Sequence, residues 1–231
     1  MLITLAIIGV VAALTIPTVI ANYQKKQLYT QFMKEYNAIT NAFNMAQVKH
    51  GELNSWTYDS AEMTDAEFFK KYMGDSLRIS KICTQASDCN IASGATMKTL
   101  NANEGSEMAY SDAFNDGSGG FILLEDGAFV NVRIGGSSNL QGTEPVQFMI
   151  DINGAKGPNT FGRDLFCFTI YKTAKGYILA AVYTYTCGEK VCNIVDNEGI
   201  TQLLEECKTT NSDSYGMGCA AKLLLEGKMD Y

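Results

Sequence analysis

The chain opens on an unbroken apolar run and then changes its pattern. Met1 to Ala21 reads MLITLAIIGVVAALTIPTVIA, in which 16 of 21 residues are apolar, and no charged side chain precedes Lys25. As a helix this stretch rises about 31 Å, close to the ~30 Å hydrocarbon core of a bilayer. Pro17 removes one backbone donor and predicts a kink. Three readings compete at this point. A membrane-inserted helix explains the length and the missing charge. A secretory signal peptide explains the small residue ending Val19-Ile20-Ala21. A core helix explains the apolar character, although such helices rarely stay apolar all round for this length.

The polar residues that follow arrive with a helical period. From Thr18 to His50 there is neither Gly nor Pro. Leu28, Phe32, Tyr36, Ile39, Phe43 and Ala46 repeat at intervals of four, four, three, four and three, one stripe of a 3.6-residue helix. Lys25, Lys26, Thr30, Gln31, Lys34 and Asn41 surround it, and His50-Gly51 offers a stop. Residues 1–50 therefore read as one helix of about 75 Å, apolar in its first half and amphipathic in its second. A cleaved signal peptide has no reason to run on into the domain it delivers. A helix that packs its second half on a head does.

Residues 51–231 read as that head. Thr64-Asp65-Ala66-Glu67 is a capping box that predicts a short helix over 64–73. Ser80 to Gly120 is rich in Asn, Ser, Asp and Gly and reads as loop. Gly120–Leu124 and Ala128–Ile134 flank Glu125-Asp126-Gly127 as a hairpin, and Val146–Ile152, Leu165–Tyr171 and Tyr177–Thr186 are further strands. Short helices are expected near Ile200–Cys207 and Ala220–Glu226. The fold class that follows is α+β: the long helix packed on a head of four or five antiparallel strands.

Charge and chemistry narrow the function classes. With 18 Lys+Arg against 25 Asp+Glu the net charge is −7, a poor match for nucleic acid, whose phosphates require clustered cations. The single histidine, His50, removes most triads and His-rich metal sites, and no G-x-S-x-G, HExxH or P-loop occurs. No cofactor is expected. His50 reads as a C-terminal cap on the helix dipole, Cys167 between Phe166 and Phe168 as a buried free thiol, and Tyr183 and Tyr185 as alternating strand positions that either mark a binding face or serve sheet packing. The other six of the seven cysteines stand in polar segments, as extracytoplasmic disulfides do. Pairing of neighbours, Cys83 with Cys89, Cys187 with Cys192 and Cys207 with Cys219, is the expectation among 15 possible connectivities. Asp151-Ile152-Asn153-Gly154 through Gly157-Pro158-Asn159 to Gly162-Arg163-Asp164 carries the oxygen donors of a calcium loop without EF-hand order. An Asx-rich connection explains the same residues.

The stretch LITLAIIGVVAALTIPTVIANYQKKQ resembles the N-terminal segment of type IV pilins and type II secretion pseudopilins. Leu5 to Leu14 matches the core of their cleavage and methylation segment, and Pro17 falls where that family carries its helix-kinking proline. The resemblance covers about 30 residues. Aligned on Pro17, the basic leader, the glycine before the cleaved bond, the Phe-Thr-Leu and the glutamate of the family would all lie upstream of Met1. The resemblance implies a non-enzymatic filament subunit held first in membrane lipid, with its head outside the cytoplasmic membrane. It is then extracted into a pilus or pseudopilus. The implied partners are homologous pilin subunits, the inner-membrane assembly machinery and the prepilin peptidase. Gly9, Ala12, Ala13 and Pro17 are the implied packing and kink positions. The rival expectation is a membrane-tethered or secreted ligand-binding or adhesion protein.

Overall fold

A computed structural model describes residues 2–92, 94–101, 107–110, 120–134, 146–154, 156–173, 176–180, 201, 204–205, 207–209 and 215–231. Helix α1 runs from Leu2 to His50 as one element of 49 residues with Pro17 inside it. Its end is marked by Lys49 and His50 in the last turn and by Gly51. Gly51 takes a φ of +81° and donates its N–H to Gln47 O at 3.0 Å, the left-handed exit that suits a residue without Cβ.

The head is a six-stranded antiparallel sheet. Its strands are β1 (Ile79–Cys83), β4 (Gly120–Leu124), β5 (Phe129–Ile134), β6 (Val146–Asp151), β7 (Leu165–Thr173) and β8 (Gly176–Ala180), lying in that spatial order. A separate pair, β2 (Thr96–Lys98) and β3 (Glu107–Ala109), forms a small hairpin. The four-or-five-strand expectation is therefore low, and the segment read as loop from Ser80 to Gly120 contains three strands. Strand β1 lies at the sheet edge, half exposed and bulged between Ile79 and Lys81, so it lacks the alternation that would reveal it. Residues 181–200, with Tyr183 and Tyr185, and most of the helix expected near 200–207 fall outside the described residues.

Both sheet faces are covered. Ile122, Val130, Phe148, Ile150, Phe166 and Phe168 face the layer made by α1 and by α2 (Asp65–Met73). Phe121, Phe129, Met149, Leu165 and Cys167 face a second layer carrying Ile91, Met97, Tyr110 and Phe161. Helix α2 begins as its capping box dictates: Thr64 Oγ1 accepts from Glu67 N–H at 3.3 Å, while Glu67 accepts from Thr64 N–H at 2.8 Å. Asp65, fully buried, accepts from the Tyr58 hydroxyl and from Ile134 N–H at 3.1 Å, which fixes α2 to the end of β5. Gly120 lets α2 approach closely, because a Cβ there would stand 2.2 Å from that of Ala66. Helix α3 (Cys219–Glu226) closes the chain beside β7.

Candidate functional site: the projecting helix and its attachment

The two halves of α1 differ in what they touch. Between Ile7 and Gln24 every residue is exposed except Ala12, which is half-buried. Leu14 is 72% exposed, although it is as apolar as the core leucines. The helix is long and apolar enough to cross a membrane. Within it the Thr15 hydroxyl donates to Val11 O at 2.9 Å, so this polar side chain is satisfied by its own helix. Gly9, Ala13 and Pro17 are exposed, and a Cβ at Gly9 would meet nothing within 4 Å. The head does not require the glycine.

The second half is gripped. Phe32, Ile39, Phe43 and Ala46 are buried, while Leu28 and Tyr36 flank them half-buried, so the periodic stripe is the face laid on the sheet. Phe32 stands 4.5 Å, ring to ring, from Phe166 and 6.2 Å from Phe168, and Tyr36 lies 5.8 Å from Phe168. Farther along, Phe43 meets Trp56 edge-on at 6.1 Å, and Trp56 stacks on Tyr72 of α2 at 4.5 Å. Such aromatic pairs contribute about 0.5–1.5 kcal/mol beyond the area they bury.

One charged group interrupts the apolar seam. Glu35 is 3% exposed and its Oε1 lies 3.2 Å from Lys34 Nζ. Lys34 also donates to Asp126 in the turn between β4 and β5. Burial, and then the charge of Asp126, push the Glu35 carboxyl up to about 7. The hydrogen-bonded Lys34 helps hold Asp126 below the usual carboxylate range against the opposing effect of its own burial. Sequence reading missed Glu35, because a glutamate beside a lysine on an amphipathic helix looks like solvated surface.

The cysteines and the Asx-rich loop form a second region. Cys83 is bonded to Cys89 and Cys207 to Cys219, with Cα–Cα separations of 5.7 and 4.9 Å. Cys187 and Cys192 lie outside the described residues. Cys167 is a free cysteine, fully buried on the sheet face away from α1, and burial pushes its thiol up to about 12. His50 lies edge-on to Tyr72 of α2 at a ring-centroid distance of 5.2 Å. In the loop, Asp151 and Asp164 are both fully buried. Asp164 accepts from Asn159 N–H at 2.8 Å, Thr160 N–H at 2.6 Å and the Asn153 amide at 3.2 Å. Asp151 accepts from the Tyr110 hydroxyl at 2.5 Å and from Asn153 N–H at 3.2 Å. The two carboxyl groups thus pin the loop to itself and to the second layer. Desolvation raises both, Asp151 to about 8. Among the described residues no group of three or more His, Cys, Asp or Glu could hold a metal.

No family model, curated protein or solved structure matches the chain. The geometry therefore stands alone: an α+β head with disulfides, and one helix whose apolar half projects from it.

Proposed function

We propose that the chain is a structural subunit of a type IV pilus or type II secretion-like filament, with a pilin-like fold. The observation that supports this best is the division of α1, continuous from Leu2 to His50, buried in the head from Phe32 onward and bare between Ile7 and Gln24. Eight large aliphatic side chains in the bare part are half or more exposed: Ile7, Ile8, Val10, Val11, Leu14, Ile16, Val19 and Ile20. Burying each fully is favourable by about 1.5–3 kcal/mol, so removing the set from water is worth on the order of 10 kcal/mol. Lipid or a bundle of like helices supplies that environment. Exchange between the two costs little hydrophobic energy, since lipid tails are as apolar as neighbouring helices. Gly9, Ala12 and Ala13 give close approach to neighbours, a use for a glycine that the head itself does not need.

In this reading the head stands outside the cytoplasmic membrane, where disulfides persist, and then on the filament surface. Its partners are like subunits, the assembly machinery and the prepilin peptidase. The role is structural and assigns the head no catalytic step. The test is mass-spectrometric sequencing of the N-terminus of the protein taken from its native cell envelope. A methylated residue a few positions upstream of Met1 is the expected result. A terminus at Asn22 would mean a cleaved signal peptide and would overturn the reading. An intact, unmethylated Met1 would do the same in favour of a tethered binding protein.

A further inference from the structure

Lys34 and Glu35 of α1 meet the β4–β5 turn at a groove of about 470 Å³. Its charged lining is Lys34 and Glu35 from the helix, Glu125 and Asp126 from the turn, and Arg78 from the approach to β1, with Ser76 and Leu77 beside them. Lys34 Nζ lies 3.2 Å from Glu35 and is hydrogen-bonded to Asp126, so one ammonium faces two carboxyl groups. Asp126 is committed further, since its other oxygen accepts from Ala128 N–H at 3.1 Å and shapes the turn. Arg78 holds the same turn through its backbone carbonyl, which accepts from Glu125 N–H at 2.9 Å. Of the two carboxyl groups sharing Lys34, Glu35 is the buried one.

We propose that Glu35, Lys34 and Asp126 form a proton-controlled latch between α1 and the β4–β5 turn, closed while Glu35 carries a proton and loosened when it ionises. The protonated carboxyl donates to Asp126, and Lys34 then serves Asp126 alone. Ionised, Glu35 becomes a second buried anion competing for the same ammonium. The sign follows from the direction of the shift. A carboxyl whose value rises from 4.5 to about 7 on folding gives stability that is complete below about 4.5 and lost as pH climbs through 7. Asp126 is shifted downward from 3.8 and Lys34 upward from 10.5, so within this cluster the interval from pH 5 to 8 belongs to Glu35. The latch sits one turn from Phe32 and Ile39, where the head holds α1 before the helix leaves it. It does not depend on the filament reading.

The test is hydrogen exchange by mass spectrometry on the full chain in non-ionic detergent micelles at pH 5.5 and 8.0, corrected for intrinsic rates. Peptides covering 31–39 and 124–128 are read against α2 as reference. Opening of both segments is expected to rise about tenfold or more at pH 8.0. Glu35→Gln, neutral at either pH, is expected to abolish the step. Carbon-13 NMR of the wild-type glutamate carboxyls, expected to show one midpoint near 7, covers the case in which the variant fails to fold. A step that survives Glu35→Gln, or titration of every glutamate near 4.5, would overturn the latch.

Discussion

Phe32→Ala measures how firmly the head holds α1. The ring is 1% exposed and lies against Phe166, Phe168 and Tyr36 at centroid distances of 4.5, 6.2 and 6.2 Å. Truncating such a phenylalanine removes its transfer energy and leaves a cavity between helix and sheet that neither rigid element closes, a loss of about 3–5 kcal/mol. Against a total stability of about 5–15 kcal/mol for an ordinary domain, that is a large share. With a urea dependence of about 2–3 kcal/mol per molar, the midpoint should fall by roughly 1–2 M. Trp56, the single tryptophan, is the reporter: it is buried, stacked on Tyr72 and in edge contact with Phe43 of α1. The assay is urea unfolding of the full chain in detergent micelles, followed by its fluorescence. Met45→Ala, at a 56% exposed position on the same helix, is the control and should stay within about 0.5 kcal/mol of wild type. A Phe32→Ala midpoint no lower than that of Met45→Ala would refute the claim that this stripe is the attachment.

Three further outcomes follow from other parts of the structure. Gly120→Ala places a Cβ 2.2 Å from the Ala66 Cβ and 2.5 Å from its backbone nitrogen, so α2 must shift and about 1–3 kcal/mol should be lost, whereas Gly9→Ala leaves the head's urea midpoint unchanged. Replacing Cys207 and Cys219 together by Ser opens a loop with a sequence separation of 12 and should cost about 3 kcal/mol, read as a lower midpoint that reductant no longer shifts through this pair. Asp151, raised to about 8 in the folded state, contributes stability that is complete below its unfolded value near 3.8 and lost as pH rises through 8. Melting temperature should therefore fall from pH 5 to pH 9 in wild type and fall less in Asp151→Asn; identical slopes would contradict the buried, protonated carboxyl.

The features legible in the sequence were those carried by a long period or a local cap. Six positions spaced by three and four placed the face of α1 on the sheet, and Thr64 with Glu67 placed the start of α2, because in both cases one element determines its own pattern. Strand β1 escaped because an edge strand buries little and its five residues alternate poorly. Strand β6 is buried along its whole length because both faces of the sheet are covered, a fact that depends on β2, β3 and the loop before β7 rather than on β6 itself. The Asp151–Asp164 loop showed its oxygen donors but not their use, which needed Tyr110, 41 residues upstream of Asp151.

Glu35 shows most clearly why the candidate site was only half visible. Helical spacing places it next to the buried stripe, but spacing alone cannot say whether the neighbouring surface is water or another element. The β4–β5 turn decides that, bringing Asp126 to Lys34 from 92 residues away in sequence. The exposed half of α1 presents the inverse case. Its apolar character is plain in the sequence, and the structure adds that none of the head turns back to cover Ile7–Gln24 among the described residues. An apolar surface of that size in water would drive association. The same helix therefore carries two surfaces of different chemistry: one aromatic and packed on the head, the other aliphatic and exposed.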